Sequence, residues 1–125
     1  MAVVLDAGAL IGVDRRDRRV GALLRIAQRE RIPVRTSAAV VAQAWRGGAR
    51  QVNLARTLTG IDIAEIDQGA GRRIGELLKR SASSDVVDGH LALLVDPGDT
   101  VLTSDVDDIT RLLDARGVQA TLHRV

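Results

Sequence analysis

Acidic residues follow two apolar segments of the sequence at the point where each segment ends. Asp6 comes directly after Val3-Val4-Leu5, and Asp105 comes after Val101-Leu102-Thr103-Ser104. Both segments are typical of short buried strands, and in open parallel sheets ligands bind beyond the carboxyl ends of the strands. We therefore expect Asp6 and Asp105 to meet at one edge of a sheet.

Three further aspartates stand near the expected starts of helices. Asp85 and Asp88 lie three positions apart at the beginning of an apolar helix, and Asp108 lies three positions beyond Asp105. Taken singly, each of these helix-start acids is explained better by an N-cap or by the helix dipole than by a ligand role. Asp6 differs, because no basic residue lies nearby in the sequence to pair with it.

Carboxylates that converge without a cation repel one another and raise each other's pKa. A bound hard cation removes that cost, and a ligand set made of oxygen alone points to Mg²⁺, with Mn²⁺ as an alternative. Such a cation holds phosphate and activates water, which suits hydrolysis of a phosphodiester. The acids therefore predict a metal-dependent nuclease.

The histidines and the best-placed serine are predicted to be structural. His90 falls on the apolar helix and is expected to be a core or interface residue, while His123 falls on the last strand. Ser37 is expected to cap a helix rather than act as a nucleophile, since neither histidine lies near it in the proposed order of elements. The glycines form no phosphate-binding loop pattern.

Length and composition limit the class of protein. The 125 residues are 46% hydrophobic and contain no cysteine, which predicts one folded domain spanning 1–125, without disulfides or thiolate zinc sites. The absence of a basic leader and of a long apolar run predicts a cytoplasmic protein with no membrane segment. All but one of the 18 basic residues are Arg, which suits phosphate but also follows from a genome rich in G and C. Trp45 is the lone aromatic residue, so contacts to RNA would depend on Arg and on backbone groups.

Strand and helix patterns alternate along the whole chain, which predicts an α/β fold with a parallel sheet and helices on both faces. The last strand is left open as parallel or as an antiparallel edge. Strands are expected at 3–5, 33–36, 61–66, 101–103 and 118–125, and helices at 7–13, 17–31, 38–46, 50–58, 67–80, 85–95 and 105–116.

Three ordered motifs resemble the landmarks of PIN-domain ribonucleases, and among them the VapC-type toxins of bacterial toxin–antitoxin pairs. They are Val3-Val4-Leu5-Asp6-Ala7-Gly8-Ala9-Leu10, Asp85-Val86-Val87-Asp88-Gly89-His90-Leu91-Ala92, and Val101-Leu102-Thr103-Ser104-Asp105-Val106-Asp107-Asp108-Ile109. The resemblance implies a three-layer α/β/α fold with a mostly parallel sheet of about five strands. It also implies Mg²⁺-dependent cleavage of RNA that leaves a 3′-hydroxyl and a 5′-phosphate.

The resemblance also implies roles for particular residues. By position, Asp6, Asp88 and Asp105 match the metal-binding acids of the family, and Asp108 matches a frequent additional acid. Gln43 stands where the family normally has a Glu. This departure keeps open an alternative function, in which a catalytically weakened domain binds RNA or a protein partner without efficient cleavage.

Partners are expected as well. The helices between Ala7 and Leu58 carry many apolar residues, from which we predict a groove for a cognate antitoxin and a homodimer interface elsewhere. The apolar set is Leu10, Ile11, Leu23, Leu24, Val40, Val41 and Trp45, with Trp45 as the expected hot spot.

Two other readings of the acids fit less well. A phosphoacceptor receiver domain would need a Lys at the end of a late strand, whereas Lys79 lies in a predicted helix. A haloacid-dehalogenase-like phosphatase would need a second Asp two positions after Asp6, where Gly8 stands.

Overall fold

Five strands and seven α-helices make up the computed structural model, which describes residues 1–125. The strands are β1 (Val3–Leu5), β2 (Val34–Ser37), β3 (Asp62–Ala64), β4 (Thr100–Thr103) and β5 (Thr121–Arg124). The helices are α1 (Ala7–Asp14), α2 (Arg18–Arg29), α3 (Ala38–Ala44), α4 (Val52–Leu58), α5 (Gln68–Ser81), α6 (Val86–Leu94) and α7 (Val106–Arg116), and a 3-10 turn at Ala49–Gln51 precedes α4.

The strands form one parallel sheet in the order β3-β2-β1-β4-β5. The chain steps from β1 to β2 and β3 on one side, and then returns over the sheet to β4 and β5 on the other side. The point where this order reverses lies between β1 and β4. In open α/β sheets ligands bind beyond the carboxyl ends of the strands at such a point.

Helices cover both faces of the sheet. On one face α1 packs against α2, α3 and α4, and on the other α5, α6 and α7 pack against one another. Right-handed crossovers require this division, because the connections before and after the return to β4 run in opposite directions across the sheet. The three-layer α/β/α architecture predicted from the sequence is therefore confirmed.

The core lies between these layers and is built from aliphatic side chains. Val4 and Leu5 of β1, Val101 and Leu102 of β4, and Leu91 of α6 are fully buried. Residues Asp88–Ala92 of α6 are all buried, as its apolar sequence predicts. None of the helices has the length and apolar character needed to cross a membrane.

Several element boundaries and one face differ from the expectation. The third strand is short, and its Ile63 is 40% exposed although the alternating sequence predicted one face toward the core. The physical reason is that β3 is an edge strand. The helix predicted to continue to Arg46 ends at Ala44, and the last strand is parallel.

Candidate metal centre

Asp6 and Asp105 lie at the carboxyl ends of the two central strands. β1 and β4 pair in parallel, with Leu5 opposite Leu102, and the amide of Asp6 donates to the carbonyl oxygen of Leu102 at 2.9 Å. Asp6 is only 2% exposed, whereas Asp105 is exposed. Both acids therefore sit where the strand order reverses.

Asp88 completes a group of three acids and comes from α6, in the helical layer formed by α5, α6 and α7. It lies in the first turn of α6 and is 7% exposed. Asp6, Asp88 and Asp105 each offer a carboxylate oxygen, and these oxygens lie within 4.8 Å of one another. The structure thus brings together the three residues that the sequence proposed as metal ligands.

Thr103 orients this group and was missed by the sequence reasoning. Its hydroxyl donates to Asp6 Oδ2 at 2.6 Å and accepts a hydrogen bond from the Asp105 amide at 2.9 Å. Thr103 is fully buried, and Asp6 Oδ1 also accepts from the Ala7 amide at 2.7 Å. No local pattern marks Thr103, because its role depends on the pairing of β4 with β1, the strand that Asp6 ends.

The start of α1 approaches the loop after β4 closely. A Cβ atom on Gly8 would lie 2.9 Å from Ser104 Oγ, which is too short for an ordinary contact. The position therefore needs glycine for space rather than for backbone conformation. Glycine at this position therefore lets the two acid-bearing segments lie close together.

Burial and mutual repulsion raise the pKa values of Asp6 and Asp88. Burial raises the pKa of Asp88 to about 7, with further contributions from Asp85, Asp6, Asp105 and Asp108. The pKa of Asp6 is also raised, chiefly by burial, although the Thr103 hydroxyl and the Ala7 amide oppose this effect. The one salt bridge in the protein joins Arg35 to Asp96, so no basic side chain neutralises the acids directly.

The cap interpretation holds for some of the acids and fails for others. The Asp85 side chain accepts from the Asp88 amide at 2.9 Å, so Asp85 is an N-cap of α6. Asp105 occupies the N-cap position of α7 but makes no side-chain cap hydrogen bond. Its carboxylate is therefore available to a ligand. Asp108 is exposed in the first turn of α7, close enough to contribute to the raised pKa of Asp88.

Gln43 lies near the end of α3, where its side chain is exposed. It does not belong to the group of three acids, and its role in a site stays a prediction.

The prediction that no histidine lies near Ser37 was wrong. Its hydroxyl caps α3 as predicted, accepting from the Ala39 amide at 3.0 Å. However, His90 Nδ1 lies 2.5 Å from Ser37 Oγ, although the sequence reasoning placed no histidine near it. The reason is that α6 packs on β2, a contact between distant segments. Both residues are buried, and burial lowers the pKa of His90 with help from Arg73, so the pair joins α6 to the sheet as neutral groups.

The apolar residues proposed for a partner groove divide into two groups. Leu10 and Val40 are fully buried core residues, so they cannot line a groove. Trp45 is 39% exposed at the end of α3 and stays available to a partner. Leu24 lines a cavity of about 810 Å³ between α2, α4 and the amino ends of β2 and β3, together with Arg16, Arg18, Arg25 and Arg56.

The residues at the acid group fit a hard divalent cation. All three offer carboxylate oxygens, the ligands that Mg²⁺ and Mn²⁺ prefer. Burial and the neighbouring acids disfavour the charged form of Asp88, which raises its pKa to about 7. A cation would lower the cost of ionising Asp6 and Asp88 together. The buried acid group can therefore hold a metal.

Comparison with solved structures identifies the fold. The chain is similar to a chain in the crystal structure of VapBC2 from Rickettsia felis bound to a DNA fragment from their promoter, with a TM-score of 0.67. The match covers 100% of this chain and 99% of that chain at 13% sequence identity. The chain has a PIN-like fold.

The PIN-like fold thus agrees with the architecture expected from the three motifs. No family model matches the sequence, and no curated protein matches it. The structural likeness extends over the whole PIN-like chain, so it includes the strand ends that carry Asp6 and Asp105.

Proposed function

We propose that this protein is a metal-dependent endoribonuclease that acts as the VapC-type toxin of a toxin–antitoxin pair in the cytoplasm. The observation that carries the proposal is the convergence of Asp6, Asp88 and Asp105 at the strand-order reversal of a PIN-like fold. A likeness to a VapBC2 chain over the full length supports the assignment to a toxin. The three sequence motifs support it independently of the fold.

The division of labour among the residues follows from their environments. Asp6, Asp88 and Asp105 would hold one Mg²⁺, or Mn²⁺, directly or through waters. The bound cation would supply a Lewis acid for the phosphate and would lower the pKa of a water. Thr103 keeps the carboxylate of Asp6 in one orientation. Asp108 is exposed beside the group, where its carboxylate can accept a hydrogen bond from the attacking water.

An RNA-cleavage assay tests this proposal. The wild-type protein should cut single-stranded RNA in Mg²⁺ and lose that activity in excess EDTA. Asp6→Asn and Asp88→Asn should abolish cleavage while the circular dichroism spectrum stays native. Asp114→Asn is the matched control, because Asp114 is exposed near the other end of α7. Undiminished cleavage in EDTA would exclude a metal-dependent mechanism.

The same assay separates the alternative function. Gln43 places a neutral amide where the family has a carboxylate, so the protein would bind RNA or a partner without efficient cleavage. Binding of RNA by a protein that shows no cleavage in either Mg²⁺ or Mn²⁺ would favour this alternative.

We further propose that an acidic segment of the antitoxin occupies the cavity between α2 and α4. Leu24 and Ile61 are apolar residues of its lining, and the four arginines there outnumber the two acids, Asp17 and Asp62, and form no salt bridge. Arginine forks bind carboxylates well, so the lining complements an acidic, partly apolar peptide. The homodimer stays a prediction, for which Ile63 on the edge strand β3 and the neighbouring Ile66 are exposed apolar residues.

A further inference from the structure

Arg124 ends the edge strand β5 beside the acid group. β5 pairs with β4 in parallel, and Arg124 lies opposite Thr103 in the register. Thr103 is the residue that bonds both Asp6 and the Asp105 amide. Arg124 therefore lies at the same carboxyl edge of the sheet as the acids.

Arg124 and Asp105 line the same small cavity. It has a volume of about 270 Å³ and is lined by Ser104, Asp105, Val106, Asp107, Asp108 and Arg124. Asp105 belongs both to this cavity and to the group of three acids, so the cavity borders the candidate metal centre. Arg124 is the sole basic residue in its lining.

The guanidinium of Arg124 is anchored but not neutralised. Its Nη1 donates to the carbonyl oxygen of Ser104 at 3.1 Å. It forms no salt bridge with an acid, although three aspartates line the same cavity. A guanidinium carries five N–H donors in a fixed fork, so most of its donors stay free for a ligand.

Other arginines with defined contacts are engaged elsewhere. Arg35 pairs with Asp96, and Arg46 donates to the carbonyl oxygens of its own helix end. Arg116 donates to the carbonyl oxygens of Ala92 and Val95 at the end of α6. These contacts are structural, whereas the contact of Arg124 leaves its charge facing an open cavity.

We infer that Arg124 binds the phosphodiester group of RNA that lies next to the acid group. The inference rests on the proposed ribonuclease function and names the residue that holds the substrate. RNA is a polyanion, so the clustered aspartates repel it. The anchored guanidinium of Arg124, at the edge of the acid group, offsets that repulsion for the part of the RNA that lies there. The guanidinium binds phosphate oxygens through two parallel hydrogen bonds, which would also fix the orientation of the RNA.

The test compares Arg124→Gln, Arg124→Lys and the control Arg29→Gln. Arg29 is exposed in the last turn of α2, before the amino end of β2, and therefore lies at the end of the sheet opposite to the acids. Arg29→Gln removes the same charge as Arg124→Gln. Binding of a fluorescein-labelled single-stranded RNA is measured by anisotropy in EDTA over a range of salt concentrations. Cleavage kinetics in Mg²⁺ and thermal melts with and without Mg²⁺ complete the set.

Arg124→Gln is expected to weaken RNA binding and to raise KM about tenfold, as loss of a charge-assisted hydrogen bond does. It should lower the slope of log Kd against log salt by about 0.7, the value for one lost phosphate contact on a single strand. Arg124→Lys should restore the slope, kcat should change little, and the Mg²⁺-induced shift in Tm should match that of wild type.

Two results would overturn the inference at different levels. If wild type cleaves RNA and Arg124→Gln matches Arg29→Gln in KM and in salt slope, Arg124 does not bind substrate, while the ribonuclease proposal stands. If wild type neither cleaves nor binds RNA under any of these conditions, the proposed function fails and the inference fails with it.

Discussion

Asp88→Asn should make the metal-free protein more stable while it destroys the metal centre. In the folded protein Asp88 is buried near Asp85, Asp6, Asp105 and Asp108, which raises its pKa to about 7. In the unfolded chain its pKa is close to 3.9. The folded state therefore binds more protons, and stability falls as pH rises from about 4 to about 7. Above that window the full cost of ionising Asp88 opposes folding.

The size of the effect follows from the two pKa values. A change from 3.8 to about 7 corresponds to an upper limit of about 4 kcal/mol. Several of the neighbouring acids are exposed and screened by solvent, so we expect roughly 1–3 kcal/mol. A chain of this length has an unfolding entropy near 0.26 kcal/mol per kelvin, so each kcal/mol shifts Tm by about 4 °C. Asp88→Asn should thus raise the Tm of the metal-free protein by about 4–12 °C at about pH 8.

Thermal melts in EDTA at about pH 8 and about pH 5 measure the effect, with Asp114→Asn as the exposed control. The gain at about pH 5 should be less than half of that at about pH 8, because Asp88 is then protonated in the folded state. A second series in Mg²⁺ should remove most or all of this difference. At a cation concentration about a hundredfold above Kd, wild type gains about 2.7 kcal/mol, and Asp88→Asn loses most of that gain.

An equal or lower Tm for metal-free Asp88→Asn at about pH 8 would refute the reasoning. The same conclusion follows if the gain does not depend on pH, because Asn would then act through packing rather than through the removal of a charge. Either result would mean that the three carboxylates are not coupled as their 4.8 Å separation implies.

Four other substitutions test the remaining features of the site and of the antitoxin surface. Thr103→Val removes the hydroxyl that holds Asp6, and should lower stability by about 1–3 kcal/mol and weaken Mg²⁺ binding in a calorimetric titration; unchanged Mg²⁺ affinity would exclude an orienting role. Gln43→Glu should tighten Mg²⁺ binding and raise cleavage while it lowers the Tm of the metal-free protein, and no change in affinity or cleavage would place Gln43 outside the site. Arg25→Glu in the larger cavity should weaken binding of the cognate antitoxin at least tenfold by reversing a charge, whereas Trp45→Ala tests the predicted hot spot in the same titration; an affinity unaltered by either change would move the antitoxin surface elsewhere.

The sequence was sufficient to predict Asp6 and Asp105 because both follow apolar strands, and the sheet topology brings them to one edge. Asp88 lies in the first turn of an apolar helix, where the local pattern favours a cap, and it was proposed as a ligand through the resemblance to the PIN-domain motifs. Thr103 could not be singled out, since its function depends on which strand lies beside it. That pairing joins residues 97 positions apart, and no local pattern records it.

Burial was harder to predict where a helix or strand has two possible neighbours. Leu10 and Val40 were expected at a surface groove but lie in the core, because α1 packs against both α3 and α4. Ile63 was expected to face the core but is exposed, because β3 became an edge strand. In each case the type of element was predicted correctly, whereas the layer that covers it depends on chain topology. The contact between Ser37 and His90 was missed for the same reason.

The position of β1 in the middle of the sheet has a consequence for synthesis on the ribosome. β1 is made well before one of its two partners, β4, which begins only at Thr100. A nascent chain that stops before Thr100 therefore has an open edge at β1 and lacks both Thr103 and Asp105. The acid group cannot assemble until Asp105 has left the exit tunnel. The order of translation thus keeps Asp6 and Asp88 apart from their third partner until β4 is made.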